Sequence, residues 1–182
     1  MTTGPNTGKN RKRVLIVGRM PQAGLDALKK RDDVDFEILT DDSIGKLHPA
    51  LKDANAVTLG ATAFRQAELD AAPGMLVVAR LGVGYDAVEI PALNKRKVPL
   101  MTTGIANSVS VAEHAMYMLL ASARLVNKSD RFVRGNAWGD RLSDLPADLS
   151  GKAILVVGMG RIGSRTVKRC VAFEMDVHVL DP

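Results

Sequence analysis

Near the end of the chain an apolar run, Ile154-Leu155-Val156-Val157, leads straight into Gly158-Met159-Gly160-Arg161-Ile162-Gly163, and the sequence closes on Asp181-Pro182. No other feature narrows the fold so far. An apolar strand, a G-x-G-x-x-G turn, a helix start and a second strand with an acid at its tip spell a nucleotide-binding βαβ unit. Gly158 permits the tight turn, Gly160 lets backbone approach a pyrophosphate, and Gly163 lets the helix pack on the strand. The helix N-terminus offers unpaired N–H groups and a positive dipole end to phosphates. Asp181 stands 18 residues beyond Gly163, where a carboxylate can accept hydrogen bonds from ribose hydroxyls.

Upstream, short apolar runs alternate with helical stretches. Strands are expected at Arg13–Gly18, Val34–Leu39, Ala56–Leu59, Met75–Arg80 and Pro99–Thr102. Helices are expected at Gln22–Arg31, Asp42–Lys52, near Phe64–Ala71 and at Asp86–Lys95. Five such strands separated by helices indicate a parallel, doubly wound α/β sheet. After Gly104 the pattern changes. Ser110–Val126 reads as one long helix, apolar nearly all round and so buried on several sides. Ser110-Val-Ala-Glu113 reads as the capping box that starts it. Asn127–Ser150 reads as polar loop with Trp138 as an anchor, and Lys152 opens the second α/β unit. The expected division is a disordered basic tail over 1–12, one flavodoxin-like α/β unit over 13–103, and the start of a Rossmann unit over 104–182. The strands Ala153–Val157 and Asp176–Leu180 would make only part of a Rossmann sheet, leaving an apolar edge open.

Composition sets the limits on partners. The formal charge is +5, yet Lys9, Arg11, Lys12 and Arg13 supply four of those charges. The basicity belongs to a tail rather than a face, which argues against nucleic acid. No apolar run reaches a membrane span. The polar, basic N-terminus does not read as a secretory leader. The single Cys170 cannot form a disulfide within the chain and reads as a small core residue. A cytoplasmic protein is expected. There is no Cys pair, no H-x-x-x-H and no close carboxylate set, so no metal site is expected. His48, His114 and His178 each stand without an acid spaced for general acid–base work.

A second glycine segment, Leu81-Gly82-Val83-Gly84-Tyr85-Asp86-Ala87, follows a strand and precedes a helix. No acid ends the next strand, and Asp86 and Glu89 at the helix start would repel a pyrophosphate. Two readings stay open. It is a tight strand-to-helix turn, or a small anion site holding one carboxylate on the N–H groups of Val83 and Gly84.

Arg80-Leu-Gly-Val-Gly-Tyr-Asp, Asn107-Ser-Val-Ser-Val-Ala-Glu-His-Ala and Gly158-Met-Gly-Arg-Ile-Gly, in that order and spacing, resemble the D-isomer-specific 2-hydroxyacid dehydrogenase family. The likeness runs from about Arg80 to Asp181. It implies an NAD-dependent enzyme that moves a hydride between NAD(H) and a small 2-oxo or 2-hydroxy acid. By that resemblance Val83 and Gly84 hold the substrate carboxylate, and Ser110 and Val111 lie near the nicotinamide. Gly158, Gly160, Arg161, Ile162 and Gly163 hold the pyrophosphate, and Asp181 the adenosine ribose. The helix 110–126 contributes to a homodimer interface. The family's catalytic Arg, Glu and His follow the second Rossmann strand. Glu113 and His114 match a structural part of the pattern, so no catalytic residue is carried over. The chain is therefore expected to be the N-terminal portion of such an enzyme, inactive alone. The alternative is a dinucleotide-binding regulatory or corepressor-like protein of the same fold.

Overall fold

The computed structural model describes residues 11–182. Of the tail expected over 1–12, positions 1–10 lie outside the described residues. Arg11 and Lys12 already belong to the fold. The Lys12 N–H donates to the Asp33 carbonyl at 3.0 Å, and Arg11 pairs with Asp35 at 3.1 Å. The first strand thus starts one residue early, because its basic end finds acids on its neighbour.

The chain divides into two compact units, the first running to Gly104 and the second over Ile105–Pro182. In the first, β1 (Lys12–Val17), β2 (Val34–Leu39), β3 (Ala56–Leu59), β4 (Val77–Arg80) and β5 (Leu100–Met101) form one sheet in the order β2-β1-β3-β4-β5. Every pairing is parallel. This is the flavodoxin-like order. Helices α1 (Gln22–Lys29), α2 (Ile44–Leu51), α3 (Gln66–Asp70) and α4 (Ile90–Arg96) supply the crossovers. The core is aliphatic, as the 4% aromatic content requires. Leu15, Val17, Leu51, Val57, Leu59, Leu69, Val78 and Leu93 pack there around one ring, Phe64. Val14–Val17 is buried throughout, as befits a parallel strand covered on both faces.

The second unit holds α5 (Ser108–Ala123), α6 (Val126–Arg134), a 3₁₀ turn at Trp138–Leu142, β6 (Ala153–Val157), α7 (Gly163–Ala172) and β7 (Asp176–Leu180). Strands β6 and β7 pair in parallel, Ala153 opposite Asp176 through Val157 opposite Leu180. A small core joins α5 to α7: Met116, Leu149, Cys170 and Met175, with Leu119, Leu120 and Ile154 packed against it. Cys170 is fully buried, and burial pushes its thiol above the ordinary range.

Three expectations for this unit are corrected. Helix α5 begins at Ser108, so Ser110 and Glu113 lie inside it and no capping box forms. The buried stripe Ser108, Ala112, Met116 repeats every four residues and carries the helix back past Ser110. Glu113 instead pairs with Arg169 of α7 at 3.2 Å. Burial covers that one stripe only. Val109, Val111, Tyr117 and Met118 are exposed, so within this chain the helix is not buried on several sides. Residues 127–150 are not simply loop. Leu125 takes a left-handed conformation at φ 53° and α6 starts anew, held by the Asp130–Arg134 pair at 2.8 Å. Trp138 is 60% exposed and stacks under the Arg141 guanidinium, so it anchors nothing in a core.

Candidate functional site

Two loops carry the candidate residues, one on each unit. The first joins β4 to α4. The Leu81 N–H donates to the Leu59 carbonyl at 2.9 Å, and the Thr103 N–H to the Gly82 carbonyl at 3.1 Å. These bonds tie the start of the loop to the strands on either side. Among the described residues no acceptor takes the N–H of Val83 or of Gly84. Both are therefore open to an anion at the carboxyl end of a parallel sheet, where ligands of such folds bind. Arg80 opens the Arg80–Asp86 motif, although spacing alone gives its side chain no role. Its guanidinium lies 3.4 Å from where a Gly82 Cβ would stand, and its Nη1 is 3.4 Å from the Leu59 carbonyl. Its Nε is buried and without a partner among the described residues. A fixed positive charge thus sits at the root of the loop.

The helix expected at Asp86 starts only at Ile90. Val88 forms a parallel bridge with Phe64, the Phe64 N–H donating to Ala87 and the Glu89 N–H to Phe64, both at 2.9 Å. That bridge, with a turn in which the Val88 N–H donates to the Tyr85 carbonyl at 2.9 Å, keeps 87–89 out of the helix. Pro91 then sets the first helical turn. Glu89 does not cap its own helix. Its carboxylate accepts from the Gln66 N–H at 3.0 Å and so caps α3.

The second loop joins β6 to α7. Gly158 has φ +94°, the left-handed conformation that favours glycine. A Cβ on Gly163 would lie 2.9 Å from the Gly158 carbonyl carbon and closer still to its oxygen. Helix and strand end therefore meet backbone to backbone. The Gly158 N–H donates to the Leu180 carbonyl at 2.7 Å, and the Met159 N–H to Asp181 Oδ1 at 3.0 Å. Asp181 is thereby held across the mouth of the turn, with its other oxygen unpartnered among the described residues. No acceptor among those residues takes the N–H groups of Gly160, Arg161, Ile162 or Gly163. Four consecutive donors at a helix start, beside an exposed Arg161, suit a diphosphate. Ser110 and Val111 lie in the first turn of α5, both exposed.

One pair was not legible in the sequence. His48 Nε2 lies 3.3 Å from Glu68 Oε1, although 20 residues separate them. The expectation that His48 stands without an acid is corrected, and so is that for His178, whose Nε2 lies 3.2 Å from Asp176 Oδ2 on the exposed strand β7. Burial works to raise the Glu68 carboxyl. The Arg65 N–H at 2.8 Å and the His48 ring outweigh it and hold the group below the ordinary carboxylate range. Among the described residues no group of three or more His, Cys, Asp or Glu could hold a metal, and no helix is long and apolar enough to cross a membrane.

Residues 14–174 match the family model described as D-isomer specific 2-hydroxyacid dehydrogenase, catalytic domain. The chain is similar to D-3-phosphoglycerate dehydrogenase of Archaeoglobus fulgidus, 31% identical over 93% of this chain. It is 35% identical to the same-named enzyme of Mycobacterium leprae, again over 93% of this chain. It spans 32% of the length of each of these relatives. Among solved structures, one of a Thermus thermophilus protein superposes with a TM-score of 0.81 at 29% identity, covering 93% of this chain and 56% of that one. An NAD-dependent formate dehydrogenase from Staphylococcus aureus, solved with NAD, superposes with a TM-score of 0.82 at 23% identity. It likewise covers 93% and 56%, and at that identity the likeness speaks for the fold.

Proposed function

The chain belongs to the D-isomer specific 2-hydroxyacid dehydrogenase family, and we propose that it supplies the NAD-binding turn and the carboxylate-binding loop of an oxidoreductase acting on a small 2-oxo or 2-hydroxy acid. The turn at 158–163 is the observation that carries this. It offers four free N–H donors, a glycine pair that no side chain could separate, and an acid fixed beside them.

In this reading Gly158, Gly160, Arg161, Ile162 and Gly163 hold the pyrophosphate. The free oxygen of Asp181 accepts from an adenosine ribose hydroxyl, while the Met159 N–H keeps the carboxylate in place. Ser110 and Val111 border the nicotinamide. Residues 104–182 serve the cofactor and 13–103 the acid, whose carboxylate lies on the N–H groups of Val83 and Gly84. Bound there, the nicotinamide gives or takes the hydride. We assign this chain's residues to binding and none to proton transfer. The exposed Tyr117 and Met118 of α5 fit a homodimer face within the 110–126 region, and a cytoplasmic setting fits a small-acid reductase with one buried thiol.

Asp181 makes the reading testable. A carboxylate there repels a 2′-phosphate, so NAD should bind more tightly than NADP. Hydrogen bonds to charged groups contribute about 1.5–3 kcal/mol, so Asp181→Ala should weaken NAD at least about tenfold and erase the preference. Calorimetric titration of both dinucleotides decides it. Equal affinities in the unsubstituted chain would sink the assignment.

A further inference from the structure

The binding scheme does not use the His48–Glu68 pair of the first unit. Its geometry is that of a fastener. His48 sits in the last turn of α2, Glu68 in the first turn of α3. The two carboxylate oxygens serve different elements. Oε1 faces the His48 ring at 3.3 Å, and Oε2 accepts from the Arg65 N–H at 2.8 Å. Glu68 is buried, its side chain 12% exposed, while His48 remains 29% exposed and within reach of solvent protons. From Arg65 the contacts continue. Phe64, the preceding residue, bridges Val88 on the β4–α4 loop, and Glu89 caps the Gln66 N–H. One carboxylate therefore connects α2, the start of α3 and the loop that carries Val83 and Gly84.

We infer that His48 and Glu68 form a proton-responsive latch, which fastens α2 to α3 and tightens the Phe64–Val88 bridge when the imidazole takes up a proton. A neutral ring donates one N–H to the carboxylate. A protonated ring adds a full charge opposite a buried, already committed anion, and such charge-assisted bonds are about twice as strong. Several of the other charged groups on the packed elements have partners of their own. On α3, Asp70 takes the Gln66 amide at 2.7 Å, and Arg65 lies at the surface beside Asp86 and Glu89. On α4, Arg96 is spent on the carbonyls of Leu69, Ala72 and Pro73. On β2, Asp35 and Glu37 pair with Arg11 and Arg13. Imidazole is the side chain whose ordinary charge change falls between about pH 5 and pH 8, and His48 is the one histidine of the first unit.

The test is amide NMR on the whole chain, following Arg65, Gln66, Val88 and Glu89 from about pH 8 to pH 5. These four amides should move along one shared titration. Glu68→Gln should reduce their movement to the drift seen at amides far from His48, and His48→Gln should abolish it. Movement in Glu68→Gln equal to that in the unsubstituted chain would overturn the latch. Should Glu68→Gln fail to fold, His48→Gln decides alone, and persistent titration of the four amides there overturns it equally. A thermal-melting cycle with both variants supplies a second reading. The coupling between the two sites should be larger at the acid end of the range than at the alkaline end, and equal coupling at both ends counts against the proposal.

Discussion

Gly163 shows how a single hydrogen atom can decide a site. The helix start and the strand end touch through backbone, and any Cβ would enter the Gly158 peptide. Gly163→Ala must push α7 off β6. Overpacking of this kind costs about 1–3 kcal/mol and moves the four free N–H groups off register. We expect a lower melting temperature for the second unit and loss of dinucleotide binding. Unchanged melting in a calorimetric scan would show that the turn yields more easily than its geometry implies. Gly160, with nothing within 4 Å of its Cβ position, is the control. Gly160→Ala should leave stability nearly unchanged and weaken only the ligand. The close packing at Gly163 was legible because glycine spacing is itself the signal. Arg80 was not, because nothing local in the sequence marks an arginine whose guanidinium folds back beneath its own loop.

At the scale of elements, α5 and α7 are joined in two ways that should differ sharply in worth. Arg169 and Glu113 pair at the surface, where such pairs contribute about 0.2–1 kcal/mol. Met116 packs Sδ to Cys170 Sγ at 3.6 Å inside the small core. Met116→Ala should cost about 2–5 kcal/mol, and Arg169→Ala no more than about one, read from denaturant midpoints. A costlier Arg169→Ala would mean the ion pair, not the core, holds the helices. In the first unit, α2 and α3 meet through Glu68. Its carboxyl is held below its ordinary value of 4.5, so its contribution is present above that pH and is lost as pH falls through the lowered value. Glu68→Gln should therefore lower melting at about pH 5 and above, and the gap from the unsubstituted chain should close only as pH falls below 4.5. A gap that keeps widening below that value contradicts this. Strands β2, β3, β6 and β7 coincide with their expected bounds, since apolar residues recur at short, regular spacing in each. Helix α6 did not, because Val126-Asn-Lys-Ser-Asp-Arg-Phe-Val-Arg134 is mostly polar and is held by ion pairs rather than by an apolar stripe. The start of α4 was missed because a bridge to Phe64, 24 residues earlier, overrides the local helix signal.

For the whole molecule, the two units differ in how much apolar surface they leave uncovered. Strand β6 has β7 on one edge only among the described residues, with Leu155 61% and Val157 73% exposed. An open apolar edge promotes pairing with another chain. Sedimentation of the 182-residue chain should show concentration-dependent association, and a monomer across the whole accessible range would contradict it. The fold class was legible throughout, because alternating strands and helices leave few topologies open. The site was legible only where its motif is local. Both loops belong to a chain that spans 32% of its curated relatives, so the binding scheme is best tested on the turn itself. The most direct measurement is an amide NMR titration of the chain with NAD. The account predicts that Met159, Gly160, Arg161, Ile162, Gly163 and Asp181 shift together and saturate, with NADP producing smaller changes at the same concentration. Saturating shifts confined to other residues, or none at these six, would contradict it.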